Sequence, residues 1–220
     1  MKIFITLIYI VALSAINGAG ADLNINQTYP LAEVHGDKFY YFGFGSNMLA
    51  KRIHIQNPSA EIVGPALLED YRLDFAMVSS VRWDGAVATI VPTPGTLTWG
   101  TLWQIDLSKL ADIDNQEGVH LGIYRPISVQ VKLHGRGTEI STRAYHLVHQ
   151  PESNLHEMEP DQVPENRQPS KTYLQVLVKG AIESGIPENY VKWLQGLKHN
   201  NKTVSKLEET LQVREVELFN

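Results

Sequence analysis

Residues 41–49 read Tyr-Phe-Gly-Phe-Gly-Ser-Asn-Met-Leu, an apolar aromatic run that meets two glycines, a serine and an asparagine. Residues 39–44 read as a buried strand, and Ser46 as the N-cap of a helix running to about residue 56, where Asn57-Pro58 ends it. Strand, glycine turn and helix start are shared by many phosphate-binding proteins, so the segments beyond the turn decide the fold. Gly43-Phe44-Gly45-Ser46-Asn47-Met48 lacks the third glycine of a dinucleotide fingerprint, and the later strands do not alternate with helices as a doubly wound sheet demands. Instead, residues 61–68, 71–78, 87–91, 99–105, 127–133 and 138–148 read as closely spaced strands, several alternating apolar with polar as in ISVQVKL. Turn signals such as Pro92-Thr93-Pro94-Gly95 and Gly135-Arg136-Gly137 separate them. Strands this close, without long helices between them, pair antiparallel. The fold class is therefore α+β: a mixed, largely antiparallel β-barrel or curled sheet flanked by helices.

Elsewhere along the chain, residues 22–37 read as a polar leader and 106–115 as a short helix. Residues 150–170, rich in Pro, Glu, Asn and Gln, read as a long loop with too few apolar side chains to pack as an element. Two helices, 171–184 and 188–197, flank Gly185-Ile186-Pro187, and an amphipathic piece comes after them at 204–213. A chain of 220 residues with 43% hydrophobic and 20% charged content buries one substantial core, removing about 70% of its unfolded surface from water. A formal net charge of -5, with the basic residues scattered, gives no field for nucleic acid. The absence of cysteine excludes disulfides, thiolate catalysis and cysteine-bound zinc.

At the N-terminus, Lys2, an apolar run over residues 3–13 and Ala19-Gly20-Ala21 form a secretory signal peptide, residues 1–21, cleaved after Ala21. The run is well short of the roughly 20 residues that span a bilayer. The expectation is one domain over residues 22–220, its core at about 39–197, secreted or held in the secretory lumen with no membrane attachment after cleavage. Asn26-Gln27-Thr28 and Asn201-Lys202-Thr203 are glycan acceptor sequons in that compartment.

Two stretches carry candidate chemistry. At the glycine turn, backbone N–H groups freed at a helix start form a site for a carboxylate or a polarised carbonyl. Taken alone, the stretch fits a plain tight connection better. A Ser46 nucleophile elbow is excluded because Phe44 and Met48 stand where it needs glycines. In residues 112–124, Asp112, Asp114 and Glu117 crowd the end of a short helix, where the dipole and like charges disfavour ionisation and suit a carboxyl to acid and base work. A solvated acidic turn is the competing account, and by itself the stronger. His146 and His149 fall on opposite faces of a strand, so no metal site is expected.

YFGFGSNMLAKRIHIQNPSA, LEDYRLDFA, GAVATIVPTPG, WGTLWQID, NQEGVHLGIY and PSKTYLQVLVKGAIESGIPENYVKWL, in that order, resemble the γ-glutamylcyclotransferase family over residues 39–197. The resemblance implies an enzyme that cyclises L-γ-glutamyl amino acids or peptides to 5-oxo-L-proline and frees the amine component. It implies a small-molecule γ-glutamyl substrate, no cofactor and a homodimer. It assigns Glu117 as general base and then acid, and Tyr41, Phe42, Gly43, Phe44, Gly45 and Ser46 as the substrate-holding loop. Tyr124 and Tyr145 match aromatic positions near the family's pocket and serve either as hydrogen-bond donors to substrate or as core tyrosines. Phe44 stands where the family usually has tyrosine, and a signal peptide is unusual among its better-known members. A γ-glutamylamine cyclotransferase and a secreted noncatalytic binding protein on the same fold are the alternatives.

Overall fold

The computed structural model describes residues 33–78 and 82–219. The signal segment 1–21, the sequon at Asn26 and residues 22–32 of the leader lie outside them. Six strands, β1 (Val34–His35), β2 (Lys38–Gly43), β3 (Glu61–Ala76), β4 (Val87–Asp106), β5 (Tyr124–Leu133) and β6 (Glu139–Leu147), form one sheet in the order β1-β2-β4-β3-β5-β6. The neighbours in that order pair antiparallel. A parallel contact between β2 and β6, at Tyr41 and Arg143, closes β2 to β6 into a mixed barrel with β1 as an extra strand. The expected α+β barrel is the observed fold.

Two expected strand pairs are each one long strand. β3 runs through Asp70, and β4 runs through the Pro92-Gly95 stretch that reads as a turn. The reason is local: Glu69 pairs Leu97 and Tyr71 pairs Pro92, so the extra residues bulge opposite Asp70. Asp70 adopts φ 61°, and its Oδ1 accepts the Gly95 N–H at 2.8 Å. The turn residues thus bend a continuous ribbon, as bulges do.

β2 divides two apolar cores. Alternate side chains of a strand point to opposite faces, so Phe39 and Tyr41 join Ile53, Trp103, Ile113 and Tyr145 in one cluster. Phe42 joins the larger cluster on the other face. Burying a side chain of this size contributes about 1.5–3 kcal/mol.

Five helices flank the barrel: α1 (Ala50–Ile53), α2 (Leu110–Gln116), α3 (Lys171–Glu183), α4 (Glu188–Gln195) and α5 (Ser205–Leu211). Ser170 caps α3, its Oγ accepting the Tyr173 N–H at 3.1 Å. α3 lies against the glycine turn with no clearance. A Cβ on Gly180 would come within 2.5 Å of the Leu49 nitrogen and 2.7 Å of the Met48 carbonyl carbon. The amphipathic C-terminal piece docks as α5, with Leu211 and Val213 buried.

The segment 150–170 is an ordered loop with two 3-10 turns. Its anchor is ionic: Asp74, 0% exposed, accepts Arg72 Nε at 2.9 Å and Arg167 Nη2 at 2.5 Å. Arg167 also donates to the Phe75 carbonyl at 2.6 Å and to the Ser153 carbonyl at 3.1 Å. Arg72 reaches the Pro151 and Ser153 carbonyls. The end of the leader is likewise structured, since Glu33 is buried and pairs with Arg143 at 3.1 Å.

Candidate active site

Beyond Gly43 the chain does not enter one helix. A 3-10 turn spans Ser46–Met48, Leu49 is extended, and α1 comes next as a single turn. Gly45 holds the cap position and Ser46 caps nothing. The continuous helix expected from residue 46 to 56 fails because tertiary donors take its first carbonyls. Trp103 Nε1 donates to the Asn47 carbonyl at 2.9 Å, and the Ser184 and Thr101 hydroxyls lie 3.2 and 3.4 Å from that of Met48. The glycines are needed for close packing of protein against protein. A Cβ on Gly43 would meet the Asn47 carbonyl oxygen at 3.0 Å, and one on Gly45 the Tyr173 hydroxyl at 3.1 Å.

Opposite this turn, α2 is anchored by buried Ile113 and ends where Gly118 takes φ 67°, the left-handed geometry glycine adopts at helix ends. Glu117, the last residue before that reversal, faces a cavity of about 240 Å³. Asn47 Nδ2 and Gln116 Nε2 donate to its Oε1 at 2.9 and 3.1 Å. Both amides converge on Oε1, and among the described residues no side-chain bond is made to Oε2. The same Asn47 nitrogen donates to the Tyr41 hydroxyl at 2.9 Å, and Asn57 Nδ2 steadies Gln116 Oε1 at 2.8 Å. Burial raises the Glu117 pKa above the ordinary carboxylate value, opposed by Arg52, the two amide hydrogen bonds and Arg82.

The raised pKa matches the sequence expectation, but its cause differs. Asp114 does not crowd Glu117, because Arg143 Nη2 binds both its oxygens, at 2.8 and 3.0 Å. Asp112 pairs with Lys109 at 3.1 Å on the surface. Desolvation, and not like charge or the helix dipole, is the dominant influence.

Of the loop residues singled out in the sequence, Tyr41, Phe44, Gly45 and Ser46 line the cavity, together with Tyr124 and Tyr145. Phe42 and Gly43 do not. Phe42 is 0% exposed in the larger core, on the face of β2 opposite Tyr41, and a strand cannot present consecutive side chains to one space. Tyr124 donates to the Ala88 carbonyl at 2.7 Å. Tyr145 donates to Asp114 at 2.5 Å and accepts from Arg143 Nε at 2.8 Å, so its hydroxyl is spent fastening α2 to β6. His146 is buried beside Arg125, while His149 is exposed, and the pair does not converge. Among the described residues no group of three His, Cys, Asp or Glu side chains is placed to hold a metal.

Sequence reasoning passed over Asn47, Arg52, Arg82, Gln116 and Tyr173, all of which line the cavity. The Tyr173 hydroxyl oxygen accepts the Ala88 N–H at 3.1 Å and the Ser46 N–H, so its own proton is free to be donated. Burial pushes that hydroxyl up to about 12, and it stays protonated at neutral pH. Nothing in the sequence near residue 173 marks it. Asn47 carried the one available signal, as a short polar side chain directly after the glycine turn.

The AIG2-like family profile matches residues 98–194. Gamma-glutamylcyclotransferase of Bos taurus is 38% identical over 169 residues, covering 76% of this chain and 82% of that protein. That of Homo sapiens is 36% identical over 176 residues, covering 79% and 86%. A solved gamma-glutamyl cyclotransferase superposes with a TM-score of 0.68 at 34% identity, covering 80% of this chain and 98% of the other. The chain belongs to the γ-glutamylcyclotransferase family.

Proposed function

We propose that the protein cyclises L-γ-glutamyl amino acids to 5-oxo-L-proline with release of the free amino acid. The observation that carries this reading is Glu117, a carboxyl with a raised pKa that lines an open cavity shared with the glycine turn. Ring closure needs a base to take a proton from the substrate α-ammonium, and an acid to protonate the departing amine. One carboxyl near its pKa performs both transfers in turn. The tetrahedral intermediate carries an oxyanion on the former γ-carbonyl, and the Tyr173 hydroxyl, itself held by the Ser46 and Ala88 N–H groups, supplies a donor for it together with the turn N–H groups of Phe44 and Gly45. Tyr41, Tyr124 and Trp83 narrow the space and hold the γ-glutamyl chain folded, so that the amine lies near its own carbonyl.

The test is release of 5-oxoproline from γ-glutamyl-alanine by the purified protein and by a folded Glu117→Gln variant. Turnover by the wild type alone is the expected result. Binding of γ-glutamyl compounds by both proteins with turnover by neither would make this a binding protein on the same fold.

The protein is further proposed to act outside the cell or in the secretory lumen, on the strength of residues 1–21, and as a homodimer, as the family resemblance implies. Asn201 is exposed, so its sequon is open to glycosylation in that compartment. Secretion with a mature N-terminus at residue 22, and a mass of two chains by light scattering, are the results expected.

A further inference from the structure

Among the described residues, the charged side chains that line the cavity are Glu117, Arg52 and Arg82. Arg52 is only 5% exposed, and its protein hydrogen bond is a 3.4 Å contact from Nη1 to Gln56 Oε1. A guanidinium carries five donors in a rigid fork shaped for a carboxylate. None of the Arg52 nitrogens is sealed away without a partner, so the donors that protein leaves unfilled are accessible, and the residue lines the cavity. Arg82 lines the same cavity but is exposed, which sets it at the mouth. Each arginine acts on the other and on Glu117 electrostatically. With Glu117 ionised, the two guanidinium groups leave the cavity one net positive charge, in a chain whose formal net charge is -5.

That balance has a chemical counterpart. A γ-glutamyl amino acid carries two carboxylates and one ammonium, and is a net anion. A γ-glutamyl amine lacks the second carboxylate and is neutral. We propose that Arg52 and Arg82 form a split carboxylate clamp. Arg52 holds the α-carboxylate of the γ-glutamyl half inside, and Arg82 holds the carboxylate of the leaving amino acid at the mouth. Arg82 thereby selects γ-glutamyl amino acids over γ-glutamyl amines. This assignment rests on the cyclotransferase reading and deepens it, since it names the residue that recognises the leaving half.

The experiment compares γ-glutamyl-alanine with γ-glutamyl-alaninamide, which differ by that one charge, on the wild type and on Arg82→Met. Arg82 is exposed, so its replacement spares the fold. The wild type is expected to favour the alanine compound by about tenfold or more in kcat/KM, chiefly through KM, the size of a lost charge-assisted hydrogen bond. In R82M the preference falls to within about twofold of one, and Arg82→Lys restores part of it. Arg52→Lys raises KM for both compounds alike, because both keep the glutamyl carboxylate. A wild type that does not discriminate, or an R82M protein that discriminates as the wild type does, overturns the clamp and leaves the cyclotransferase reading standing. If the wild type releases 5-oxoproline from neither compound, the cyclotransferase reading fails, and calorimetry on the same proteins judges the clamp. Tighter binding of the alanine compound that R82M abolishes sustains it; equal or absent binding overturns it.

Discussion

Asp74 is a fully buried carboxylate and Glu117 a half-buried one, and they keep different company. Asp74 lies between the guanidinium groups of Arg72 and Arg167, with its Oδ1 also accepting the Phe75 N–H at 2.7 Å. Glu117 is held by two neutral amides on one oxygen, while Arg52 and Arg82 act on it electrostatically. Pairing turns the first carboxylate into a fastener: it binds a loop and has three of its roughly four acceptor sites filled. In the proposed function, withheld pairing suits the second one to act as an acid, since a direct arginine contact would depress its pKa. One barrel thus uses buried charge twice, with opposite aims.

The two carboxylates should differ most when Glu117 is replaced. Glu117→Gln keeps both amide bonds, because the glutamine oxygen accepts them as the carboxylate did, but it cannot exchange a proton; kcat is expected to fall by about 10²–10⁴-fold. Its stability should move the other way. A folded-state pKa above the unfolded value means the native protein holds that proton more tightly, so ionisation costs stability as pH rises from the unfolded value through the folded one. The wild type bears this cost to the extent that Glu117 is ionised in the native protein, and the variant bears none of it. A Tm gain of about 2–4 °C, as from 1 kcal/mol in a chain of this length, should appear at pH 7 and vanish below about pH 4. Thermal unfolding at the two pH values decides it, and an E117Q protein less stable at pH 7 would sink the account of burial.

Asp74→Asn tests the other half. It leaves two guanidinium groups buried around a neutral amide, at a cost of about 3–5 kcal/mol, read as a lower urea midpoint. Activity per folded molecule should persist, because no part of this network lines the cavity. Arg143→Met joins the two cases. Arg143 fastens α2 through Asp114, whose side chain is 29% exposed, and also pairs with the buried Glu33, so its loss strands a buried carboxylate and should cost about as much as Asp74→Asn, roughly 3–5 kcal/mol. Its second effect is positional: kcat drops with KM little changed, by up to about 10²-fold for a displacement near 1 Å, and Arg143→Lys recovers part of it. Equal loss in R143M and R143K with unchanged kcat would reduce the network to a plain staple.

How much of the molecule could be read from the chain depends on distance along it. The glycine turn and Glu117 could be singled out because each sits in a contiguous run that matches a family motif, although the local chemistry of each run by itself favoured a plain connection and a solvated acidic turn. Phe42 was misplaced because a run of aromatics hides the two-residue period that sends it to the opposite face from Tyr41. The helix after Ser46 was overextended because Trp103, Thr101 and Ser184, which capture its carbonyls, lie 53 or more positions downstream. Residues 92–95 read as a turn because proline and glycine mark bulges and turns alike, and only Asp70 on the facing strand tells them apart. The loop at 150–170 looked unstructured from composition, since a single arginine does not announce a buried aspartate 93 residues away. Tyr173 and Arg52 were invisible for the same reason: their role arises where distant segments meet.

Gly180 matters for more than the packing of α3. Because the α3 backbone rests directly on the peptide between Met48 and Leu49, the helix serves as the reference surface from which the turn, and through Asn47 the Glu117 carboxylate, is located. An added methyl group there would strip nothing from the cavity lining, yet it would move the origin from which the cavity is measured. The tolerance of the reaction site is therefore set at a position that no substrate ever reaches.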